Sequence, residues 1–343
     1  IARIDKAYTW ENPMSAHGLM HTVISNCYNG DPYKIDTLFM YMANMAWNSS
    51  MNTEETIKKL TEKNSHTGEY IIPRIIYSDS YYSETVAYAD LILPDTTYLE
   101  RHDCISLLDR PIGEPDMVCD AIRWPVVQPD RDVRGFQDVL LDLGVKLQLP
   151  GMIKENKEAL YESYADYIQR HERRPGVGPL AGFRGKNQSS SGRGAPNNNQ
   201  IECYKENGGF WSEEIPLEAQ YYKPWNKSYQ KWAVKMGLYD SEQPFVFQIY
   251  LEPLAKLQIT RNLPNHLKPE KKLEKRISKK MDPLPIWWSN SDPEKAKSFP
   301  YNAITQRPAA MYHSWGSQNI WLRQIHGSNK LFVSEDIWAK YSF

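Results

Sequence analysis

The stretch that most constrains this chain is ETVAYADLILPDTTYLE, Glu84 to Glu100, together with Ile75-Ile76-Tyr77-Ser78-Asp79 just upstream. Ile75 to Tyr77 is a short apolar run ending in Ser-Asp, and Leu91 to Leu93 is another, stopped by Pro94. Both read as buried strands rather than amphipathic ones. Between them Thr85 to Ala89 predicts a short helix, with Ser83 as N-cap and Glu84 supplying first-turn acidity. Strand, polar turn, short helix and strand make a parallel αβ unit, and ligands of such sheets sit beyond the carboxyl ends of the strands. Ser78-Asp79 and Pro94-Asp95-Thr96-Thr97 occupy those ends, which makes Asp79 and Asp95 candidate ligand contacts. Ordinary packing accounts for Thr85, Ala89 and Pro94 without any ligand.

The flanking sequence extends the unit. Residues Ala16 to Asn26 have helical character and end at the Asn29-Gly30-Asp31-Pro32 turn. Ile35 to Met42 predicts a strand, YMANMAWNSS a loop, and Thr53 to Lys63 a helix capped by Asn52 or Thr53. The loop amides and the positive end of that helix suit a phosphate or a base edge, although a plain αβ turn looks the same. Beyond residue 100, Pro111, Pro115, Pro125 and Pro129 break any helix, so short strands and crossing loops are expected. Arg134 to Leu147 reads as an amphipathic packing helix with Phe136, Val139, Leu140 and Leu143 on one face. A second helix is expected from about Lys154 to Arg170, with Leu160, Tyr164 and Tyr167 inward. Residues 174–200 are rich in Gly, Ser, Asn and Pro, a composition that predicts a coreless excursion with Arg184 and Arg193 as solvated charges. Further on, Lys227 to Met236 predicts a helix, Phe245 to Tyr250 a strand, and Lys268 to Lys280 a basic, helix-permissive run. The basic run reads as a solvated face or docking patch, with nucleic acid or an anionic membrane as lesser alternatives. Near the end, Ala303 to Thr305 predicts a strand, and Tyr312 to Trp321 a loop dense in hydrogen-bonding groups, which suits a planar, heteroatom-rich ligand.

Two of these regions resemble the molybdopterin oxidoreductases of the dimethyl sulfoxide reductase family. In that family a strand ending in "SD" leads to an "ET..YAD..LP" segment, and ETVAYADLILPDTTYLER is similar in order and spacing. The family's "GxNP..S" loop, which helps hold one guanine dinucleotide arm of the cofactor, is similar to YMANMAWNSS. Here Asn44 and Ser49 are kept, and the usual glycine and proline are replaced. The second region resembles the opening of the family's C-terminal dinucleotide-binding barrel, a strand with a "T.R" turn, an "HS" loop and an "N.WL" element. The resemblance implies cofactor contacts at Asn44, Ser49, Asp79, Glu84, Thr85 and Asp95 in the first region. In the second it implies Thr305, Arg307, His313, Ser314, Gln318 and Asn319.

The implied architecture is α/β in three parts. A Rossmann-like αβ domain spans 1–150, an irregular insertion 151–295, and the start of a β-barrel 296–343. The implied cofactor is molybdenum bis(molybdopterin guanine dinucleotide), with a [4Fe-4S] cluster expected only in an N-terminal part outside this chain. The implied parent is a larger catalytic subunit, of which this chain is a C-terminal part unlikely to act alone. The opening and the long insertion look most like the sulfur-compound branch, handling polysulfide, thiosulfate or sulfite. Members of that branch work in anaerobic respiration with a membrane anchor and an iron–sulfur electron-transfer subunit, at the cytoplasmic face of the membrane or, alternatively, in the periplasm. A rival reading is a non-catalytic scaffold of the same fold in a respiratory complex, and a third is a plain nucleotide-binding module.

Composition narrows the field from the other side. The formal net charge of -1 gives no global field to recruit nucleic acid. The four cysteines are dispersed with no CxxC pair, so no cluster or structural zinc is expected in these 343 residues, and no metal ligand is assigned. Without GxGxxG, a nicotinamide Rossmann reading fails. No apolar run reaches the roughly 20 residues of a membrane span.

Overall fold

In the computed structural model the described residues are 3–7, 9–12, 20–47, 52–106, 117–173, 175–180, 182–188, 194–214, 231–232, 234–237, 240–242, 250–257, 263–287, 297–306, 308–311, 319–328 and 330–341. They divide into two units. The first is Ile1–Leu93 with Pro269–Leu273 and Ile286–Phe343, and the second is Pro94–Lys268 with Glu274–Pro285.

The first unit is built on strands β1 (Thr37–Tyr41), β2 (Arg74–Asp79) and β3 (Leu91–Pro94), in the order β1-β2-β3. β1 and β2 pair in parallel, from Thr37 opposite Arg74 to Tyr41 opposite Ser78. A parallel pair needs a crossover, and helix α2 (Thr53–Thr61) supplies it. Its first turn carries Glu54 and Glu55 and its last Lys58 and Lys59, which complements the helix dipole, while Thr56 and Leu60, four apart, face the core. Helix α1 (Val23–Asn29) packs beside it and stops at Gly30, whose φ of 65° is the left-handed closing conformation that glycine tolerates best. The core joins Ile24, Cys27, Leu38, Met40, Ala46, Leu60, Ile72, Ile75, Tyr77 and Val86. Each large apolar side chain buried there contributes about 1.5–3 kcal/mol.

Two sequence expectations change here. β3 is not a buried strand: Leu91 and Ile92 are 50% and 43% exposed. As the last strand in the sheet order it has β2 on one side only among the described residues. The element after β2 is a 3-10 turn, Glu84–Tyr88, and Ser83 makes no side-chain cap, because its hydroxyl is engaged by Tyr77 instead.

The second unit holds an antiparallel sheet of β4 (Asp103–Ser106), β5 (Met117–Arg123) and β6 (Phe210–Glu214), in that order. Helices α3 (Phe136–Lys146), α4 (Tyr164–Arg170) and α5 (Gln200–Glu206) accompany it. The helix expected from Lys154 begins ten residues later. Ser163 caps α4 by accepting from Asp166 N at 3.2 Å, and upstream of it an isolated bridge, Ile153 to Ala159, holds a turn.

The largest correction concerns 174–200. Val177, Leu180, Arg184 and Gln200 are buried, and Leu180 joins Ile122, Ile168, Ile201, Tyr204 and Trp211 in one core. At Leu180 and Gly182 the polar backbone is satisfied from inside. Gln200 donates to Leu180 O and Gly182 O, and Gly182 N donates to Asp120 Oδ2 and Tyr204 Oη. Arg184, fully buried rather than solvated, donates to Gly194 O, Gln169 O and Glu172. A glycine-rich segment enters a core when buried polar side chains replace its lost water, which composition does not register.

Glu100 and Arg131 form a fork-to-fork pair at 2.7 and 2.8 Å, and Thr97 N donates to the same carboxylate at 2.7 Å. The Arg131 guanidinium, and then the Thr97 amide, hold the Glu100 carboxyl at about 2, below its ordinary 4.5. The folded-state value is depressed, so this contribution to stability is present above pH 4.5 and disappears as pH falls through about 2. Glu100→Gln is expected to lose stability less steeply than the parent between pH 4.5 and 2 in thermal unfolding. A slope equal to the parent's would refute it.

Later in the chain come α6 (Glu252–Leu257), α7 (Lys271–Lys280), α8 (Ile320–Ile325) and α9 (Glu335–Tyr341). The basic run is α7, with Ile277 its buried anchor. Of the helix expected over Lys227 to Met236, residues 231–232 and 234–235 are helical, and residues 245–249 of the next expected strand lie outside the described residues. Ala303 to Thr305 forms no strand. Ile304 is 91% exposed, and among the described residues of 297–341 there is no second strand to complete a ladder. No closed barrel occurs among the described residues. No helix there is long and apolar enough to cross a membrane.

Candidate functional site

The carboxyl ends of β1 and β2 open onto a polar rim made of the loop after β1, the turn after β2 and the 3-10 turn Glu84–Tyr88. Chain direction dictates this: both strands are parallel, so their ends coincide. The loop is tied down first by Met42 N, which donates to Ser78 O at 2.9 Å. Met42 itself holds a left-handed φ of 48°. It stands two residues before Asn44, where the resembled loop has its glycine, so the backbone shape that glycine favours is present without it.

Asn44 is buried and works as a clip. Its Oδ1 accepts from Thr85 N at 3.1 Å and from Thr85 Oγ1 at 2.6 Å, and its Nδ2 donates to Glu84 Oε2 at 2.5 Å. Thr85 Oγ1 in turn accepts from Ala46 N at 2.9 Å. Two segments forty residues apart are thereby locked in one geometry, and the half-buried Glu84 carboxylate is held at the rim.

Asp79 is fixed in a different way. Tyr77, fully buried two residues earlier on the same strand face, donates to Asp79 Oδ2 at 2.9 Å, and Tyr81 N donates to Oδ1 at 3.2 Å. Burial pushes the Tyr77 phenol well above its ordinary value, with the charge of Asp79 adding to the rise, so the hydroxyl stays a donor at any physiological pH. The sequence places Tyr77 in a buried strand and Ser83 at a helix cap without assigning either to the site; the available signal is a tyrosine two positions before a strand-end aspartate. The turn after the half-buried Asp79 carries two exposed aromatic side chains, Tyr81 and Tyr82, and the loop after β1 carries a third, Trp47.

The remaining expected contacts fall elsewhere. Asp95, in the second unit, is 1% exposed and turned inward: it pairs with Arg101 and accepts from Thr96 N at 2.8 Å and Phe136 N at 2.9 Å. Thr305 is exposed on irregular backbone. Asn319 caps α8, its Oδ1 accepting from Trp321 N at 3.0 Å and Leu322 N at 3.2 Å. Ser49, Arg307, His313, Ser314 and Gln318 lie outside the described residues. The structure thus brings together Asn44, Asp79, Glu84 and Thr85 from the twelve expected positions.

Comparison with proteins of known name agrees with the family its motifs resemble, the molybdopterin oxidoreductases: both relatives are named as subunits of sulfur-compound oxidoreductases, and one is named as molybdopterin-containing. Over 347 aligned positions it is 45% identical to a sulfite dehydrogenase subunit of Allochromatium vinosum, an alignment that takes in 99% of this chain and 36% of that protein. It is also 28% identical, over 132 positions, to the thiosulfate reductase molybdopterin-containing subunit PhsA of Salmonella typhimurium, covering 38% of this chain and 15% of that protein. The chain therefore spans little more than a third of the length of the first relative. No family model matches it.

Proposed function

We propose that this chain is part of the catalytic subunit of a molybdenum oxidoreductase that oxidises or reduces a small inorganic sulfur compound, with sulfite the first candidate. The 45% identity, along nearly the whole chain, to a subunit of a sulfite dehydrogenase carries this reading.

The rim suits one guanine arm of a bis(molybdopterin guanine dinucleotide). A guanine edge presents imino and amino donors, and the chemistry it needs is a fixed acceptor at hydrogen-bonding depth. Asp79 and Glu84 are half-buried carboxylates, each held by neighbouring donors, and the rim loops expose the aromatic side chains Trp47, Tyr81 and Tyr82. Asn44 and Thr85 are buried and engaged with each other, so their part is to position Glu84 and the loop amides. When bound, the cofactor supplies the redox chemistry, and the protein contributes placement and electrostatics. Thr305, Arg307, His313, Ser314, Gln318 and Asn319 are proposed as contacts of the pterin and phosphates, at the start of a barrel in the complete protein. A membrane anchor and an iron–sulfur electron-transfer subunit complete the proposed assembly, and Asp95 serves the fold rather than the cofactor.

The test is molybdenum and pterin content, with sulfite-dependent dye reduction, of the complete purified protein. Stoichiometric molybdenum and turnover are expected, and a protein devoid of both molybdenum and tungsten would instead be a scaffold. Asn44→Ala is expected to lower molybdopterin retention roughly 10- to 100-fold, the usual scale for losing a residue that orients a binding group. Asp79→Asn is expected to do likewise while leaving the unfolding midpoint nearly unchanged.

A further inference from the structure

Away from the rim, α4 carries an aromatic line that the proposed function does not use. Tyr164, Tyr167 and His171 are spaced three and four apart and so share one helix face. Tyr164 stacks on Tyr167 with centroids 6.0 Å apart, and Tyr167 stacks on His171 at 4.5 Å with 14° between planes. Tyr161, from the turn before the helix, meets Tyr167 edge-on at 5.0 Å and sets its hydroxyl 3.1 Å from His171 Nδ1. At the other end Cys104 Sγ lies 3.5 Å from Tyr164 Oη.

This geometry has chemical content. A phenol gives up an electron readily only if its proton leaves at the same time, because the oxidised phenol is a strong acid. That requires a neutral base in hydrogen-bonding contact. Among the described residues, Tyr161 is the tyrosine of this group whose hydroxyl meets a basic nitrogen. Burial lowers the affinity of His171 for a proton, and Arg173 and Arg184 lower it further, so the ring is neutral near pH 7 and able to accept one. Burial raises the Tyr161 phenol above its ordinary value, so the proton rests on oxygen until oxidation. The stack with Tyr167 fixes the imidazole plane, and His171 N, donating to Tyr167 O at 2.9 Å, fixes the backbone beneath it.

We propose that Tyr161 and His171 form a proton-coupled one-electron redox site. In the forward step the Tyr161 O–H bond breaks, the proton passes to His171 Nδ1, and one electron passes to a one-electron oxidant, an oxygen- or sulfur-centred radical. The products are a neutral tyrosyl and an imidazolium, and reduction returns both electron and proton. Tyr167 is a positioning residue. The site uses none of the rim residues, so it stands or falls independently of the cofactor reading.

The test uses the complete protein, with photogenerated tris(bipyridine)ruthenium(III) as oxidant, rapid freezing and high-field electron paramagnetic resonance. The expected result is a tyrosyl radical with a hydrogen-bonded g-anisotropy that couples to histidine nitrogen in protein grown on isotope-labelled histidine. Tyr161→Phe removes that signal, and His171→Asn slows its formation by about a hundredfold, the lower range for a positioned base. Absence of histidine coupling in the unmodified protein, which needs no variant to fold, would overturn the proposal. So would a coupled signal that survives Tyr161→Phe.

Discussion

Replacing Asp95 with alanine is expected to destabilise the protein by about 3–5 kcal/mol, the cost of removing one partner from a buried ion pair. The Asp95 side chain is 0% exposed and that of Arg101 6%, so the guanidinium left behind stays out of water, with the longer contact to Asp103 at 4.0 Å as its ion pair. Two amides lose their acceptor as well. Thr96 N is one, and the other is Phe136 N at the start of α3, whose N-cap position is Gly135 and offers no side chain. Asp95 therefore does the capping from forty-one residues away, joining strand end, turn and helix. Asp95→Asn keeps one oxygen for the amides and is expected to cost less than alanine, about 1–3 kcal/mol, through the lost charge and the acceptor that Arg101 loses at the second oxygen. Urea unfolding of the two variants measures both, and a shift of under about 1 kcal/mol for alanine would mean that Arg101 finds water or another acceptor.

Asp79 and Asp95 illustrate what was legible in the sequence and what was not. Both are aspartates just past apolar runs, and the periodicity of those runs locates them correctly at strand ends. What separates them is the partners they meet: Tyr77, two residues away, holds Asp79 at the rim, whereas Arg101 and the distant Phe136 draw Asp95 inside. The strands β1 and β2, the crossover helix α2 and helix α3 were all foreseeable, because each carries its own hydrophobic period and, in α2, charges matched to the dipole. The clip of Asn44 on Thr85 was legible only as two separate motifs, since no local pattern says that residues forty apart will exchange three hydrogen bonds. Local reasoning failed where burial is decided by long-range contact. Leu91 and Ile92 look like core and are exposed, while Arg184 looks like a loop charge and is enclosed.

Gly182→Ala is the sharpest test of the enclosed segment. A β-carbon at Gly182 would lie 2.2 Å from Trp211 Cγ and 2.6 Å from its Cβ and Cδ2, distances that side-chain rotation cannot relieve because the clash begins at the root of the indole. Trp211 is 3% exposed and packed into the core with Leu180, Ile201 and Tyr204, so it has nowhere to go. The glycine cannot retreat either, since its N–H is held by Asp120 at 3.0 Å and by Tyr204 at 2.9 Å, and its carbonyl accepts from Gln200 at 2.5 Å. One added methyl thus forces a choice between losing buried hydrogen bonds and unpacking a tryptophan, and the expected loss is about 3 kcal/mol, at the upper end of overpacking costs. Trp211→Leu alone opens a cavity and is also destabilising, but it removes the atoms that the new methyl strikes. The double variant is therefore expected to be more stable than the two single losses added together, by about 1 kcal/mol or more. Strict additivity in that cycle would show that the glycine and the indole do not meet, and with them would go the inward path of residues 174–200.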